Sequence, residues 1–264
     1  LVGNIFQQLY NMVDSIIVGN FVGANALGAI GTTNSLNFFF FSLVAGLSVG
    51  IGIIVAQYFG FGDEEKVKDA IGNSIWIITI CSVIMAIIGF VTARPILVLL
   101  DTDPVILNDA VAYLKVVSIG IVCVGFYNGV SGILRALGDS KTPLIFLIVA
   151  SVLNVILDLI FVLSFGWGVV GAGVATAFSQ LISALACIIY AYKSNTYFKL
   201  KKKNIKLNGN IIKKSCKLGI PVALQNSLIA FSLIVLQKVV NGYGATFTTA
   251  FTVSLNNVSM SFLS

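Results

Sequence analysis

The chain is a succession of apolar runs, each about twenty residues or longer, separated by connectors that hold nearly all of its charge. A run of that length crosses the ~30 Å hydrocarbon core of a bilayer as a helix. There the backbone must satisfy its own hydrogen bonds, which leaves helices and closed barrels as the available solutions. Barrel strands are excluded, because the runs are too long and do not alternate between apolar and polar residues. The spans fall at residues 1 to about 20, 35–59, 70–93, 111–134, 143–164, 168–192 and about 211–240, and an eighth opens near Phe247. Composition closes the soluble alternative. Of 264 residues, 58% are hydrophobic and 10% charged, against roughly 25% charged in an ordinary soluble domain. No polar shell could cover a core of this size, and 19 Phe argue equally against disorder.

Several chemistries are excluded with it. The chain has no His, which removes His-ligated zinc, Ser–His proteolysis and His proton relays. Cys81, Cys123, Cys187 and Cys216 show no CxxC spacing and read as small packing residues rather than metal ligands or a disulfide framework. The absence of a starting Met, and an end inside an apolar run, read as an internal fragment, so a missing signal peptide carries no information.

The net charge of +6 reads as topology rather than nucleic-acid binding. Thirteen basic residues fall in alternate connectors: Lys66 and Lys68, Arg135 and Lys141, and nine Lys at positions 193–217. The intervening connectors hold only Arg94 and Lys115, and Lys238 is left over. By the positive-inside rule the Lys-rich connectors are cytoplasmic, the first helix runs outward, and the connector at 22–31 lies outside. The expected location is the inner (plasma) membrane, as a multi-pass protein. The longest polar stretch, 193–214, divides a six-helix lobe (1–192) from the start of a second (215–264). It reads as a cytoplasmic tether in preference to an anionic-lipid contact. Sliding the chain on itself by 221 residues pairs Asn20 with Asn241, Gly23-Ala24 with Gly244-Ala245 and Ala29 with Ala250. Six helices per copy would give both copies one orientation and a symmetry axis along the membrane normal.

Polar residues inside the runs mark a candidate site. Asn4, Gln7, Gln8, Asn11, Asp14 and Ser15 share one face of the first helix at spacings of three and four. Ser151, Asn154 and Asp158 do so on the fifth, and Thr176, Ser179, Gln180 and Ser183 on the sixth. At 1.5 Å per residue, Asp14 and Asp158 each lie about 9 Å below the outer mouth and Thr176 about 12 Å below it. Asp14, Asn154, Asp158 and Thr176 therefore meet at one level as oxygen-rich ligands for a small hard cation, or as a carboxylate pair sharing a proton. Two intramembrane carboxylates at about 2.5–3.5 kcal/mol each favour function over structural pairing. Gly46, Gly50 and Gly52, and Gly120, Gly125, Gly129 and Gly132, read as close helix contacts. The Phe run at 38–41 reads as lipid-facing or packed surface, and Tyr113 as an interfacial anchor.

The segments LYNMVDSIIVGNFVGANALGAIG from Leu9, VAQYFGFGDEEKV from Val55, GILRALGDSKTP from Gly132, GAGVATAFSQ from Gly171 and GIPVALQ from Gly219 resemble the multidrug and toxic compound extrusion (MATE) antiporters, in order along the chain. The resemblance implies an all-α membrane protein of twelve helices in two lobes, of which this chain holds the first lobe and two helices of the second. It implies a secondary transporter, not an enzyme, that exports amphiphilic drugs or toxic metabolites in exchange for sodium or protons. It also implies a monomer with no resident cofactor and no nucleic-acid partner. Its prokaryotic branch with an acidic first lobe places the cation at the positions matching Asp14, Asn154, Asp158 and Thr176. The substrate cavity would be lined by Gln7, Asn11, Tyr113 and Gln180. One alternative is a lipid-linked oligosaccharide flippase of the same superfamily, although the first helix offers acid and amide where a pyrophosphate calls for bases. A remote one is an intramembrane aspartyl protease, whose Gly-x-Gly-Asp motif is only approached by Ala136-Leu137-Gly138-Asp139.

Overall fold

A computed structural model describes the backbone of residues 2–261 and the side chains of residues 12–255. The described residues form eight α-helices: α1 Val2–Phe21, α2 Ala24–Gly60, α3 Glu64–Leu99, α4 Pro104–Ala136, α5 Lys141–Asp158, α6 Gly168–Ser194, α7 Gly209–Asn241 and α8 Ala245–Ser261. A π-helical segment, Leu159–Ser164, continues α5, and a single 3₁₀ turn, Thr196–Phe198, follows α6. Six of these helices, counting α5 with its π extension, are long and apolar enough to cross a membrane. The all-α, multi-pass architecture expected from the apolar runs is the one observed.

Helices overrun the apolar runs because their ends are capped in the connectors. Asp63 accepts from the backbone N–H of Lys66 to start α3, and Asp103 accepts from that of Val105 to start α4, with Pro104 at the first helical position. The largest departure is at the first connector. It was expected over 22–31, but α2 already begins at Ala24, behind Gly23 at φ 122°. The reason is tertiary. A Cβ on Gly28 or Gly31 would collide with Thr249 or Thr252 of α8, so the Ala/Gly-rich opening of α2 is a packing surface and not a loop. Gly244, before α8, likewise has a positive φ of 89°.

α2 is the organising helix, packed along α7 and α4 and flanked by α3 and α8; α6 lies on α4, and α1 and α5 close the side toward α6. Bilayer lipid offers no hydrophobic drive for helices to associate, so close packing of small residues must supply it. The α2–α7 crossing does this. A Cβ on Gly46 would overlap the backbone of Ala223, and one on Gly50 would lie 2.5 Å from the backbone nitrogen of Gly219. Ser42 and Ser227 add a hydroxyl–hydroxyl contact of 3.2 Å along the same seam. The four cysteines are free thiols. Of the Phe run, Phe40 is buried at 3% exposure and Phe38 faces outward at 37%.

The basic connector is not a loose tether. Its residues 199–208 lie in a stripe on α3 formed by Asp69, Gly72, Asn73 and Trp76, one helical face at spacings of three and four. Asn204 donates to Asp69 Oδ1 at 2.7 Å, and its carbonyl rests on Gly72, where no Cβ would fit. Asn73 accepts from Asn208 N at 2.8 Å and donates to the Lys206 carbonyl at 3.3 Å. The Trp76 indole donates to the Ile205 carbonyl at 2.8 Å. Asn208 then caps α7 by accepting from the N–H groups of Asn210 and Ile211, so Lys213, Lys214 and Lys217 are already helical.

Candidate coupling site

Asp14 of α1 is 6% exposed, while Asn154 and Asp158, one turn apart on α5, are 1% and 0% exposed. The Asp14 and Asp158 carboxyl groups face each other closely enough to interact. Asn154 Nδ2 donates to Thr176 Oγ1 of α6 at 3.3 Å. Six buried side-chain atoms have no hydrogen-bond partner among the described residues, and four of them are here: Asp14 Oδ1, Asn154 Oδ1 and both oxygens of Asp158. All four are acceptors. Facing carboxylates in a water-poor interior repel each other, so such a cluster is stable only with a proton or cation among its oxygens. An acid pair, an amide carbonyl and a hydroxyl are the hard oxygen ligands that a small cation takes.

The serines near this level are engaged elsewhere. Ser151 donates to the Leu147 carbonyl, Ser179 to that of Thr176 and Ser183 to that of Phe146, which leaves them structural. Gln180, one turn beyond Thr176, is 9% exposed. Tyr113 does not sit at the water boundary expected of an interfacial anchor. It is buried in an apolar cluster with Ile17, Val18, Ile30 and Val169. Gln7 and Asn11 lie on α1, and their side chains are outside the described residues.

Two features left no sign in the sequence. Asp158 is the last α-helical residue before the π segment, in which Phe165 N bonds Ile160 O five residues back. Single π turns are concentrated at functional sites, since the extra residue re-aims neighbouring side chains. The second is a polar hub at the C-terminal end of α7. Asn241 accepts from Gln237 Nε2 at 2.8 Å and donates to the Leu100 carbonyl at 3.0 Å and to Thr102 Oγ1 at 3.4 Å. The Thr32 hydroxyl of α2 is 3.3 Å from the Asn241 carbonyl oxygen. Alongside, Asp103 Oδ2 accepts from Ala245 N at 3.0 Å, and Lys238, the base without a connector, pairs with Asp101 at 3.4 Å. Together these contacts clasp the α3–α4 turn to the α7–α8 turn.

The remote aspartyl-protease reading fails on geometry. Asp139 lies at the opposite end of α5 from Asp158 and accepts from Thr142 N at 3.0 Å to start that helix. Nineteen positions of helix place it ~28 Å from the acid pair.

Comparison with known proteins gives a consistent result. The MatE family model matches residues 1–160. A probable multidrug resistance protein of Bacillus subtilis, YpnP, is 34% identical over 245 residues, covering 92% of this chain and 54% of its own length. An inward-facing multidrug resistance MATE transporter superposes with a TM-score of 0.87 at 27% identity, over 93% of this chain and 56% of that one. An outward-facing MATE transporter superposes equally well, at 0.86 and 26% identity, over 98% and 57%. The chain spans about half the length of the curated relatives it matches.

Proposed function

This chain belongs to the MatE family of membrane transporters, and from that premise we propose that it works as the cation-binding part of a multidrug exporter driven by sodium or protons. The observation that carries this reading is the cluster of unpartnered buried oxygens on Asp14, Asn154 and Asp158. A cation or proton entering from outside joins the two carboxylates, draws α1 and α5 together, and favours the state that releases drug. Its departure to the inside resets the cycle. The coupling free energy is bounded by how differently the two states hold the ion. Among the described residues no Lys or Arg is buried, so an interior bearing two acids suits cationic or neutral amphiphilic cargo and disfavours a pyrophosphate-linked one.

In this reading the Lys-rich connector faces the cytoplasm, the protein lies in the plasma membrane as a monomer, and the clasp around Asn241 closes the outer side. The test is efflux of a cationic dye from vesicles loaded with sodium or set to a pH gradient. Efflux that follows one gradient and is lost in Asp158→Asn supports the proposal. Efflux independent of both gradients defeats it.

A further inference from the structure

The docked basic connector leaves its charge unanswered. Of its lysines at 199–217, only Lys203 has an ion-pair partner among the described residues, Glu65 at 2.6 Å. Beneath the connector lies a cavity of about 390 Å³ lined in part by Asp69, Lys203, Lys206, Leu207 and Asn208. It adjoins a second, of about 250 Å³, that shares Asp69 and Asn208 and adds Lys214. Asp69 keeps its charge while accepting from Asn204 through Oδ1. Of the lysines lining the two cavities, Lys203 pairs with Glu65 and Lys66 with Asp63, so the cations there without an ion-pair partner among the described residues are Lys206 and Lys214. Beside these ammonium groups, the connector exposes Leu207 at 65% and Ile205 at 37%. Such side chains have no reason to face water. The Ile205 carbonyl accepts from the indole of Trp76, itself 39% exposed on the face of α3 that also exposes Ile80 at 53%, and Trp is the residue of the headgroup boundary. The connector thus dips along α3 to the edge of the bilayer, offering two apolar side chains to acyl chains and lysines to the headgroups above them.

We propose that this docked connector is a binding site for an anionic phospholipid, its phosphate held by Lys206 and Lys214 and its acyl chains against Ile205 and Leu207. Exposed apolar side chains interleaved with lysines form the pattern of an interfacial anchor. Each lysine near a negatively charged leaflet contributes about 1 kcal/mol, or roughly fivefold in occupancy. Because the connector joins α6 to α7 and is pinned to α3, lipid bound there restrains how far α7 can move against α3. The proposal rests on the orientation given above only for which leaflet supplies the lipid.

Of the two Trp in these 264 residues, Trp76 stands beside the site, so Trp167 and any Trp elsewhere in the full-length protein are replaced by Phe to leave Trp76 as the reporter. In vesicles mixing phosphatidylglycerol and phosphatidylcholine, one lipid at a time carries brominated chains, at matched mole fraction. We expect brominated phosphatidylglycerol to quench Trp76 at least about twofold more than brominated phosphatidylcholine. Adding Lys206→Gln and Lys214→Gln should abolish the excess, whereas Lys141→Gln with Lys193→Gln, the same charge removed elsewhere, should keep it. Inorganic phosphate at constant ionic strength should leave the excess unchanged. Equal quenching by the two lipids overturns the proposal, as does equal loss in both double variants, which would mean diffuse surface charge. Loss on adding phosphate reassigns the site to a free anion and overturns it too. Both leaflets of these vesicles hold both lipids, so an error in orientation leaves the result intact and is detected separately by cysteine labelling.

Discussion

At the scale of single residues, burial and hydrogen bonding separate the polar positions that the sequence groups together. Asp158 and Asn154 share α5 with Ser151, yet only the serine finds a backbone acceptor within its own helix. A short hydroxyl in a helix can always bond back one turn, and a carboxylate, which only accepts, cannot. We therefore expect Asp158→Asn and Asp14→Asn each to abolish ion-dependent dye efflux while the protein remains folded, because the amide keeps the volume and supplies donors to the orphaned acceptors. Thr176→Ala, which removes one hydroxyl bound to Asn154, should weaken coupling several-fold without abolishing it. Efflux by both Asn variants at the unmodified rate and ion dependence would make the acids structural. Spacing of three and four on α1, α5 and α6 made this cluster legible in advance. What spacing could not tell was which of the polar side chains are already satisfied.

At the scale of elements, contacts between helices decide the outcome. The α2–α7 seam rests on residues without side chains, so Gly46→Ala, whose Cβ overlaps the Ala223 backbone, should destabilise the protein by about 1–3 kcal/mol. Gly52→Ala meets nothing closer than 3.5 Å and should be neutral or slightly stabilising, since Ala is the better helix former by ~1 kcal/mol. Thermal unfolding in detergent compares the two, and equal loss would show that the seam is not the determinant. The Asn241 hub predicts a larger effect than an isolated membrane hydrogen bond, whose average is about 0.6 kcal/mol. Asn241→Leu strands Gln237 and the Leu100 carbonyl in a buried site, and should cost about 1–3 kcal/mol per stranded group. It should also widen the spin-label distance between the α3–α4 and α7–α8 turns. An unchanged distance would show that other contacts, such as Asp103 to Ala245 N, hold the two turns together. The exposed Lys238–Asp101 pair should contribute little, as surface pairs do.

At the scale of the whole molecule, the proposed orientation follows from the distribution of charge and predicts the accessible faces. Asn25 and Lys202 are both exposed, at opposite ends of the helices. In intact cells a membrane-impermeant thiol reagent should label Asn25→Cys and not Lys202→Cys in a background without the native cysteines. The reverse pattern would invert the topology. The surface between those ends is apolar, with Val91 at 67% exposure and Leu228 at 70%. A chain whose outside is as apolar as its inside cannot be read by hydrophobic periodicity.

That is the line between what the sequence determined and what the tertiary structure decided. Run length and polar spacing are local properties of one helix, so the sequence alone determined the all-helical membrane class and the helix faces that carry Asp14, Asp158, Asn154 and Thr176. The extension of α2 back to Ala24, the π segment after Asp158, the Asn241 clasp and the bed of α3 under the Lys-rich connector were decided by tertiary structure. Each depends on a partner far away in the chain: Gly28 on Thr249, Asn241 on Leu100, Asn204 on Gly72 and Asp69. In a bilayer, where hydrophobicity places helices across the membrane but not against one another, close fit and satisfied polar groups make those choices.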